Sequence, residues 1–79
     1  MGQKPRSRPE RLAAKLLVVR QNLGVNQTEM AKLLKCESKR LSELESGRRE
    51  ANLLLLLNYA RLAKVPVDNL IDDDLDLHF

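Results

Sequence analysis

The sequence predicts an all-α domain of five short helices, with a basic arm before it and an acidic tail after it. Three observations support this. Apolar residues recur at helical spacing, capping residues stand between these stretches, and no pair of strand-like segments occurs in the body. With one Phe, one Tyr and no Trp, the core must be built from Leu, Val, Ile and Ala. The predicted parts are residues 1–9 for the arm, 10–71 for the domain and 72–79 for the tail.

Capping residues delimit the first two predicted helices. The first begins near Pro9 or Glu10, because proline is favoured in a first helical turn, and it ends at Gly24, which suits a left-handed cap. Asn26 is a good N-cap for the second helix, and Glu29 three residues later completes a pattern typical of a capping box. The buried stripe of the second helix is predicted to contain Met30, Ala31, Leu33 and Leu34.

The third predicted helix has two distinct sides. It follows a turn at residues 35–37, covers residues 38–46 and ends at Gly47. At 100° per residue, Leu41 and Leu44 share the inward side. The opposite, polar side contains Lys39, Ser42, Glu43 and Ser46.

The fourth and fifth helices complete the predicted domain. The fourth begins after Asn52, and its predicted core stripe contains Leu53, Leu56, Leu57, Ala60 and Ala63. Pro66 lies in the connection to a short fifth helix over residues 68–71, which is expected to bury Leu70 and Ile71. Residues 74–79 then alternate between polar and apolar, which predicts an extended segment with one buried face.

The charge of the chain is unevenly distributed. Residues 1–67 carry a net charge of +8, whereas residues 68–79 carry −5. A basic body attracts polyanions, because each Lys or Arg near a phosphate releases condensed counterions. Solvated surface charge would give the same pattern, so charge alone leaves both interpretations open.

Residues 26–47 carry the most information about function. They consist of two short helices separated by a tight turn, and the second helix has an exposed polar and partly basic side. This is the pattern of a helix-turn-helix, which places its second helix in the DNA major groove.

The chain resembles the Cro and phage-repressor type of helix-turn-helix domain, the XRE-like family, over roughly residues 12–71. The matching positions are Arg20, Leu23, Gly24, Asn26, Gln27, Ala31, Leu41, Leu44, Glu45, Gly47, Leu56, Leu57, Ala60, Val65, Asp68 and Leu70. The resemblance implies a five-helix, lambda-repressor-like fold. It also implies a sequence-specific transcriptional regulator that binds double-stranded DNA, commonly as a dimer on a two-fold operator.

The resemblance also implies roles for individual residues. Base-reading positions would be Ser38, Lys39, Ser42 and Glu43. Of these, Lys39 can donate to guanine and Glu43 can accept from cytosine N4. Phosphate-binding positions would be Gln27, Arg40, Arg48 and Arg49. Arg20 and Glu45 would instead form an internal ion pair between the first and third helices.

Two residues depart from the family pattern. Lys35 stands in the turn where the family usually has Gly, and a left-handed conformation costs a non-Gly residue about 1 kcal/mol, so the turn is either altered or strained. Pro66 replaces the usual Ser cap of the fifth helix. Glu43 is a third unusual feature, because a carboxylate on the DNA-facing side either rejects unsuitable sites or indicates a protein partner.

An apolar surface is predicted beside the core stripe. The candidate dimer surface contains Leu54, Leu55, Tyr59, Leu62, Leu75, Leu77 and Phe79. A homodimer is the favoured interpretation, since two-fold operators require one. The alternative is a monomer whose own tail covers Leu55 and Leu62.

Other functional classes receive less support from the sequence. The main alternative is a protein-interaction or antitoxin-type module that uses the same fold. No Ser/His/Asp or Cys/His catalytic set is apparent, and Cys36 with His78 cannot form a zinc site, so we expect no enzyme, cofactor or metal. We expect no small-molecule substrate and no membrane association, because the sequence contains no long apolar run. The expected location is the cytoplasm, on the nucleoid when DNA is bound.

Overall fold

The computed structural model describes residues 10–77, and this part of the chain contains five helices. They are α1 (Leu12–Leu23), α2 (Gln27–Leu34), α3 (Ser38–Ser46), α4 (Leu53–Ala63) and α5 (Val67–Ile71). The predicted all-α class and number of helices are therefore confirmed for this range. The predicted arm, residues 1–9, lies outside the described residues, as does Phe79 of the predicted dimer surface.

The caps that the sequence predicted are present. Asn26 Oδ1 accepts from the Glu29 backbone N–H at 2.8 Å, while Glu29 Oε1 accepts from the Asn26 N–H at 2.9 Å. Gly24 ends α1 in the left-handed region with a φ of 73°. Asn52 caps α4 by accepting from the Leu55 N–H at 2.8 Å. Local side-chain chemistry therefore sets most helix ends.

The start of α1 differs from its predicted position near Pro9 or Glu10. The helix begins at Leu12, with Arg11 as its N-cap residue. The backbone N–H groups of Glu10 and Arg11 both donate to the Asp73 carboxylate at 2.9 Å, so the C-terminal tail satisfies donors at this end of the helix.

The core lies where α1 packs on α3, α4 and α5 and where α2 packs on α3 and α4. Its buried members are Leu12, Leu16, Val19, Met30, Ala31, Leu34, Leu41, Leu44, Leu55, Leu56, Tyr59, Ala60 and Leu70. Aliphatic side chains dominate this core, as the composition predicted, and Tyr59 is the one aromatic ring among these members.

The predicted core stripe of α4 is confirmed at Leu56, Ala60 and Ala63 but is wrong at Leu53 and Leu57. Leu53 is 77% exposed and Leu57 is also exposed, whereas Leu55 is 7% and Tyr59 0% exposed. The bulky Tyr59 ring occupies the interior, and the run of five leucines before it gives no polar contrast that would fix the phase of the helix. Leu55 and Tyr59 therefore do not belong to a dimer surface, contrary to the sequence prediction.

Two further residues predicted to be buried are exposed. Leu33 lies to one side of the narrow stripe that α2 buries through Met30, Ala31 and Leu34. Ile71 is exposed because α5 is only five residues long and uses Leu70 to fill the core.

The tail packs on α1 of the same chain. Lys15, only 4% exposed, donates through Nζ to three backbone carbonyl oxygens, those of Asn69 at 2.7 Å, Asp72 at 2.8 Å and Leu75 at 2.6 Å. These acceptors satisfy all three N–H groups of the ammonium. Burial nevertheless holds the pKa of Lys15 below its ordinary value, and Arg11 adds to this effect.

The extended conformation predicted for residues 74–79 is wrong for Asp74 and Leu75, which belong to a turn. The Leu75 N–H donates to the Asp72 carbonyl at 3.0 Å, and the Asp74 N–H donates to the Asp72 carboxylate at 2.9 Å, which together form a turn. Arg11 then binds the Asp76 carboxylate at 2.7 Å. Lys15 of α1 and Arg11, which precedes α1, thus hold the acidic tail against α1 of the same chain.

Candidate nucleic-acid interface

The turn between α2 and α3 keeps its tight geometry without a glycine. Lys35 adopts a left-handed conformation with a φ of 57°, and its N–H donates to the Lys32 carbonyl at 3.2 Å. The next N–H, of Cys36, reaches back to the Ala31 carbonyl at 2.9 Å. These two bonds form a Schellman cap. Of the two outcomes expected for Lys35, an altered turn or a strained one, the structure shows the strained one.

Cys36 serves as a packing residue in this turn. Its side chain is partly buried against the core, and burial raises the pKa of its thiol. A neutral, half-buried thiol behaves as a small apolar side chain and not as a reactive nucleophile.

The two sides of α3 are as the sequence predicted. Leu41 and Leu44 are buried against the core. On the opposite side Lys39, Ser42 and Ser46 are exposed, and Glu43 is half-buried. Ser38 and Arg40 are also exposed. The structure therefore presents the proposed base-reading residues together along one side of a single helix.

A hydrogen-bonded network fixes this helix to the two before it. Arg20 Nε of α1 donates to Glu45 Oε2 of α3 at 2.8 Å, and the side chain of Glu45 is only 5% exposed. The same guanidinium donates to the Val25 carbonyl at 3.1 Å. The internal ion pair that the resemblance implied is present, and it holds the orientation of α3 relative to α1.

Gln27, expected to bind a phosphate, belongs to the same network. Its Nε2 donates to Glu45 Oε1 at 3.1 Å, so Glu45 accepts from both α1 and α2. An amide nitrogen carries two hydrogens, and this contact uses one of them. Glu45 thus fixes the orientation of the Gln27 amide at the start of α2.

Glu43 and Arg49, which sequence reasoning assigned to separate tasks, bind each other. Arg49 Nε donates to Glu43 Oε1 at 2.8 Å. This hydrogen bond, followed by the positive charges of Arg49, Lys39 and Arg48, lowers the pKa of Glu43 below its ordinary value. The signal for this pair in the sequence is weak, because the two residues are six positions apart and Gly47 lies between them.

Lys15 and Arg11 are a second set that sequence reasoning missed. Both lie on α1 or beside its start and bind the tail, which is about 60 residues away in the sequence. The signal in the sequence that marks Lys15 as unusual is its position three residues after Leu12 and four before Val19, on the apolar side of α1.

The remaining members of the predicted dimer surface differ in burial. Leu54 is 66% exposed on α4, Leu62 packs on the core, and Leu77 packs on the core from the tail. Leu75 is exposed beside α1. A role at a dimer surface therefore stays a prediction for the exposed Leu54 and Leu75, while Leu62 and Leu77 contribute to the packing of the chain itself.

Within residues 10–77, no helix is long and apolar enough to cross a membrane. The same residues contain no cluster of His, Cys, Asp and Glu side chains that could hold a metal ion.

No protein-family model matches the chain, and no curated protein matches it in sequence. Solved structures do match. The P22 c2 repressor in complex with a synthetic operator superposes with a TM-score of 0.72 at 21% identity, over 80% of this chain and 96% of the repressor chain. The restriction-modification controller protein C.AhdI from Aeromonas hydrophila has a TM-score of 0.69 at 21% identity, over 77% and 92% of the two chains. These two matches establish the fold.

A more similar sequence establishes the family. The clp gene regulator ClgR from C. glutamicum is 33% identical, with a TM-score of 0.68 over 85% of this chain and 86% of the regulator. The fold and the two-sided α3 define a helix-turn-helix domain. The chain belongs to the Cro and phage-repressor family of helix-turn-helix regulators.

Proposed function

We propose that the protein is a transcriptional regulator that binds specific double-stranded DNA sites by placing α3 in the major groove. The observation that carries this proposal is the exposed polar side of α3, held at a fixed orientation by the Arg20–Glu45–Gln27 network. A rigid helix with short polar side chains and one lysine on its outer side suits the width of the major groove and the donors and acceptors there. Operator binding by the P22 c2 repressor supports the proposal.

Individual residues have distinct proposed roles. Ser38, Lys39 and Ser42 meet base edges, with Lys39 donating to guanine O6 and N7. Arg40 and Arg48 bind phosphates on either side of the helix, which fixes register without reading sequence. At the start of α2, the free amide hydrogen of Gln27 binds a further phosphate, supported by the N–H groups of the helix N-terminus.

Selection of bound duplexes from a random pool tests this function. A defined consensus is expected, with affinity that falls steeply as salt rises. Lys39→Ala should reduce discrimination between selected and random duplexes. Arg48→Ala should weaken both by a similar factor and reduce the salt slope by about one. Retention of no duplex by the wild-type protein would contradict the proposal.

We further propose that the protein binds as a homodimer on a two-fold operator, so the selected consensus should be palindromic. Exposed leucines on α4, Leu53, Leu54 and Leu57, support association with another protein surface. They equally favour the second candidate function, a protein-interaction or antitoxin-type module. A stable complex with a different protein that survives high salt, without DNA retention, would favour this second candidate.

The proposed regulator acts in the cytoplasm, where it has access to the nucleoid. We propose no enzymatic activity for it, because the solved structures that it resembles include a repressor and a gene regulator.

A further inference from the structure

We infer that Arg49 reads a guanine base at the C-terminal end of α3 and that Glu43 is the residue that positions it. The inference rests on the proposed DNA-binding function. It replaces the roles that the sequence suggested, in which Arg49 contacts phosphate and Glu43 alone reads cytosine.

The end of α3 brings Arg49 back toward the DNA-facing side. Gly47 adopts a φ of 83°, and its N–H donates to the Leu44 carbonyl at 3.3 Å. The Arg48 N–H donates to the Glu43 carbonyl at 2.9 Å, so the chain folds back over the last turn of the helix. The hydrogen bonds of this Schellman cap fix the backbone just before Arg49, and they thereby determine where the Arg49 side chain begins.

The ion pair leaves the outer edge of the Arg49 guanidinium available. Arg49 uses Nε to bind Glu43, and none of its terminal N–H groups donates to another residue within the described part of the chain. The two terminal nitrogens of a guanidinium present parallel donors in a rigid fork. This fork matches guanine O6 and N7, which is the commonest specific contact in the major groove.

Glu43 is poorly suited to read cytosine by itself. Its Oε1 already accepts from Arg49, and its carboxylate is ionised beside Lys39 and Arg48. A lone carboxylate at this surface would be repelled by the phosphates, whereas a carboxylate paired with Arg49 is neutralised. The same contact holds the Arg49 side chain in one conformation before DNA binds. Binding to a base therefore costs less side-chain entropy.

The test uses the full chain, the duplex selected by the wild-type protein, and duplexes with each position of that site changed in turn. We compare Arg49→Ala, Arg49→Lys and Glu43→Gln, with Arg48→Ala as the matched control. Arg49→Ala and Glu43→Gln should both lose discrimination for the same guanine, by about tenfold or more. Arg49→Lys should keep wild-type affinity for random duplex without restoring that discrimination, because lysine lacks the fork.

A double variant separates positioning from direct reading. Glu43→Gln combined with Arg49→Ala should discriminate no worse than Arg49→Ala alone, because Glu43 acts through Arg49. Thermal unfolding of each variant should stay close to wild type, since Arg49 is exposed and Glu43 is on the surface.

Three results would overturn the inference. If Glu43→Gln lost a preference for cytosine while Arg49→Ala kept the base preferences of the wild-type protein, Glu43 would itself contact the cytosine base. Equal weakening of selected and random duplexes by Arg49→Ala, with full rescue by Arg49→Lys, would make Arg49 a phosphate contact. Selection of no duplex by the wild-type protein would overturn the proposed function itself, and this is measured before any variant.

Discussion

Lys35 and Lys64 end two different helices in the same left-handed conformation, with φ values of 57° and 58°. In each case the following N–H, of Cys36 or Val65, donates to the carbonyl five residues earlier, at 2.9 and 3.1 Å. Two lysines therefore occupy positions that favour glycine. Each positive charge also lies at a helix C-terminus, where the helix dipole favours it.

Replacement of either lysine by glycine should stabilise the domain. Lys35→Gly and Lys64→Gly remove the left-handed strain, and the greater freedom of glycine in the unfolded chain offsets part of the gain. We expect an increase of up to about 1 kcal/mol in the free energy of unfolding for each. Urea unfolding would measure this. The control is Lys32→Gly, within α2, which should destabilise by about 1 kcal/mol. Destabilisation by all three substitutions would show that the two caps carry no strain.

The hydroxyl of Tyr59 is buried and has no hydrogen-bond partner within residues 10–77. Tyr59→Phe should therefore leave stability unchanged or raise it by about 1 kcal/mol, because it removes a buried polar group without breaking a bond. Tyr59→Leu should be destabilising, since it leaves a cavity in the core. A loss of more than about 1 kcal/mol in Tyr59→Phe would mean that the hydroxyl makes a stabilising hydrogen bond.

Tyr59 should also make stability depend on alkaline pH. Burial, with the Glu45 charge as a smaller contribution, raises the pKa of Tyr59 far above the ordinary value of 10.0. Above about pH 10 the unfolded chain loses this proton while the folded chain keeps it, so folding stability falls as pH rises. In Tyr59→Phe, the free energy of unfolding should fall less as the pH rises above about 10, because this phenol is absent. Because the chain has one Tyr and no Trp, absorbance of the phenolate reports on Tyr59 alone. Titration of the folded protein near pH 10 would contradict the expectation.

The Arg20–Glu45 ion pair should be important for stability as well as for orientation. Glu45→Ala leaves the Arg20 guanidinium without its carboxylate in a site where its side chain is only 17% exposed. We expect a loss of about 3 kcal/mol in the free energy of unfolding. Glu37→Ala is the control, because Glu37 is exposed and makes no side-chain cap, so its effect should stay within about 0.5 kcal/mol. If Glu45→Ala and Glu37→Ala lowered the free energy of unfolding equally, the Arg20–Glu45 pair would contribute no more than a weak ion pair on the surface.

Lys15 should be required for docking of the tail. Lys15→Met deprives the carbonyls of Asn69, Asp72 and Leu75 of a charged donor, and we expect destabilisation by about 2 kcal/mol. Hydrogen exchange of the Leu75 amide should become faster, because its bond to Asp72 depends on the docked turn. The exposed Lys32 provides the control as Lys32→Met. Unchanged exchange at Leu75 would show that the tail packs without Lys15.

Features that depend on neighbouring residues could be predicted from the sequence. The Asn26–Glu29 capping box and the ends at Gly24 and Gly47 follow from side chains within a few positions of each helix end. The two sides of α3 follow from Leu41 and Leu44, which are three residues apart in an otherwise polar segment and so define the buried side of a short helix.

The Arg20–Glu45 pair between α1 and α3 was expected only because of the family resemblance, and three other features that depend on the tertiary fold could not be predicted. The orientation of α4 was missed because consecutive leucines define no polar side, so tertiary packing of Tyr59 decided it. The tail was missed because Lys15 meets its acceptors only after the whole domain has folded. The Arg49–Glu43 contact was missed because the backbone direction after Gly47 determines it.

The three acceptors of Lys15 all lie after α4 in the chain. In a fragment that lacks residues 69–79, the Lys15 ammonium has none of these carbonyls beside it, and it is better hydrated than buried. The N-terminal half of α1 should therefore stay open to solvent in such a fragment, which still retains both Arg20 and Glu45. Removal of residues 69–79 should thus loosen the start of α1 more than it loosens the packing of α3 on α1.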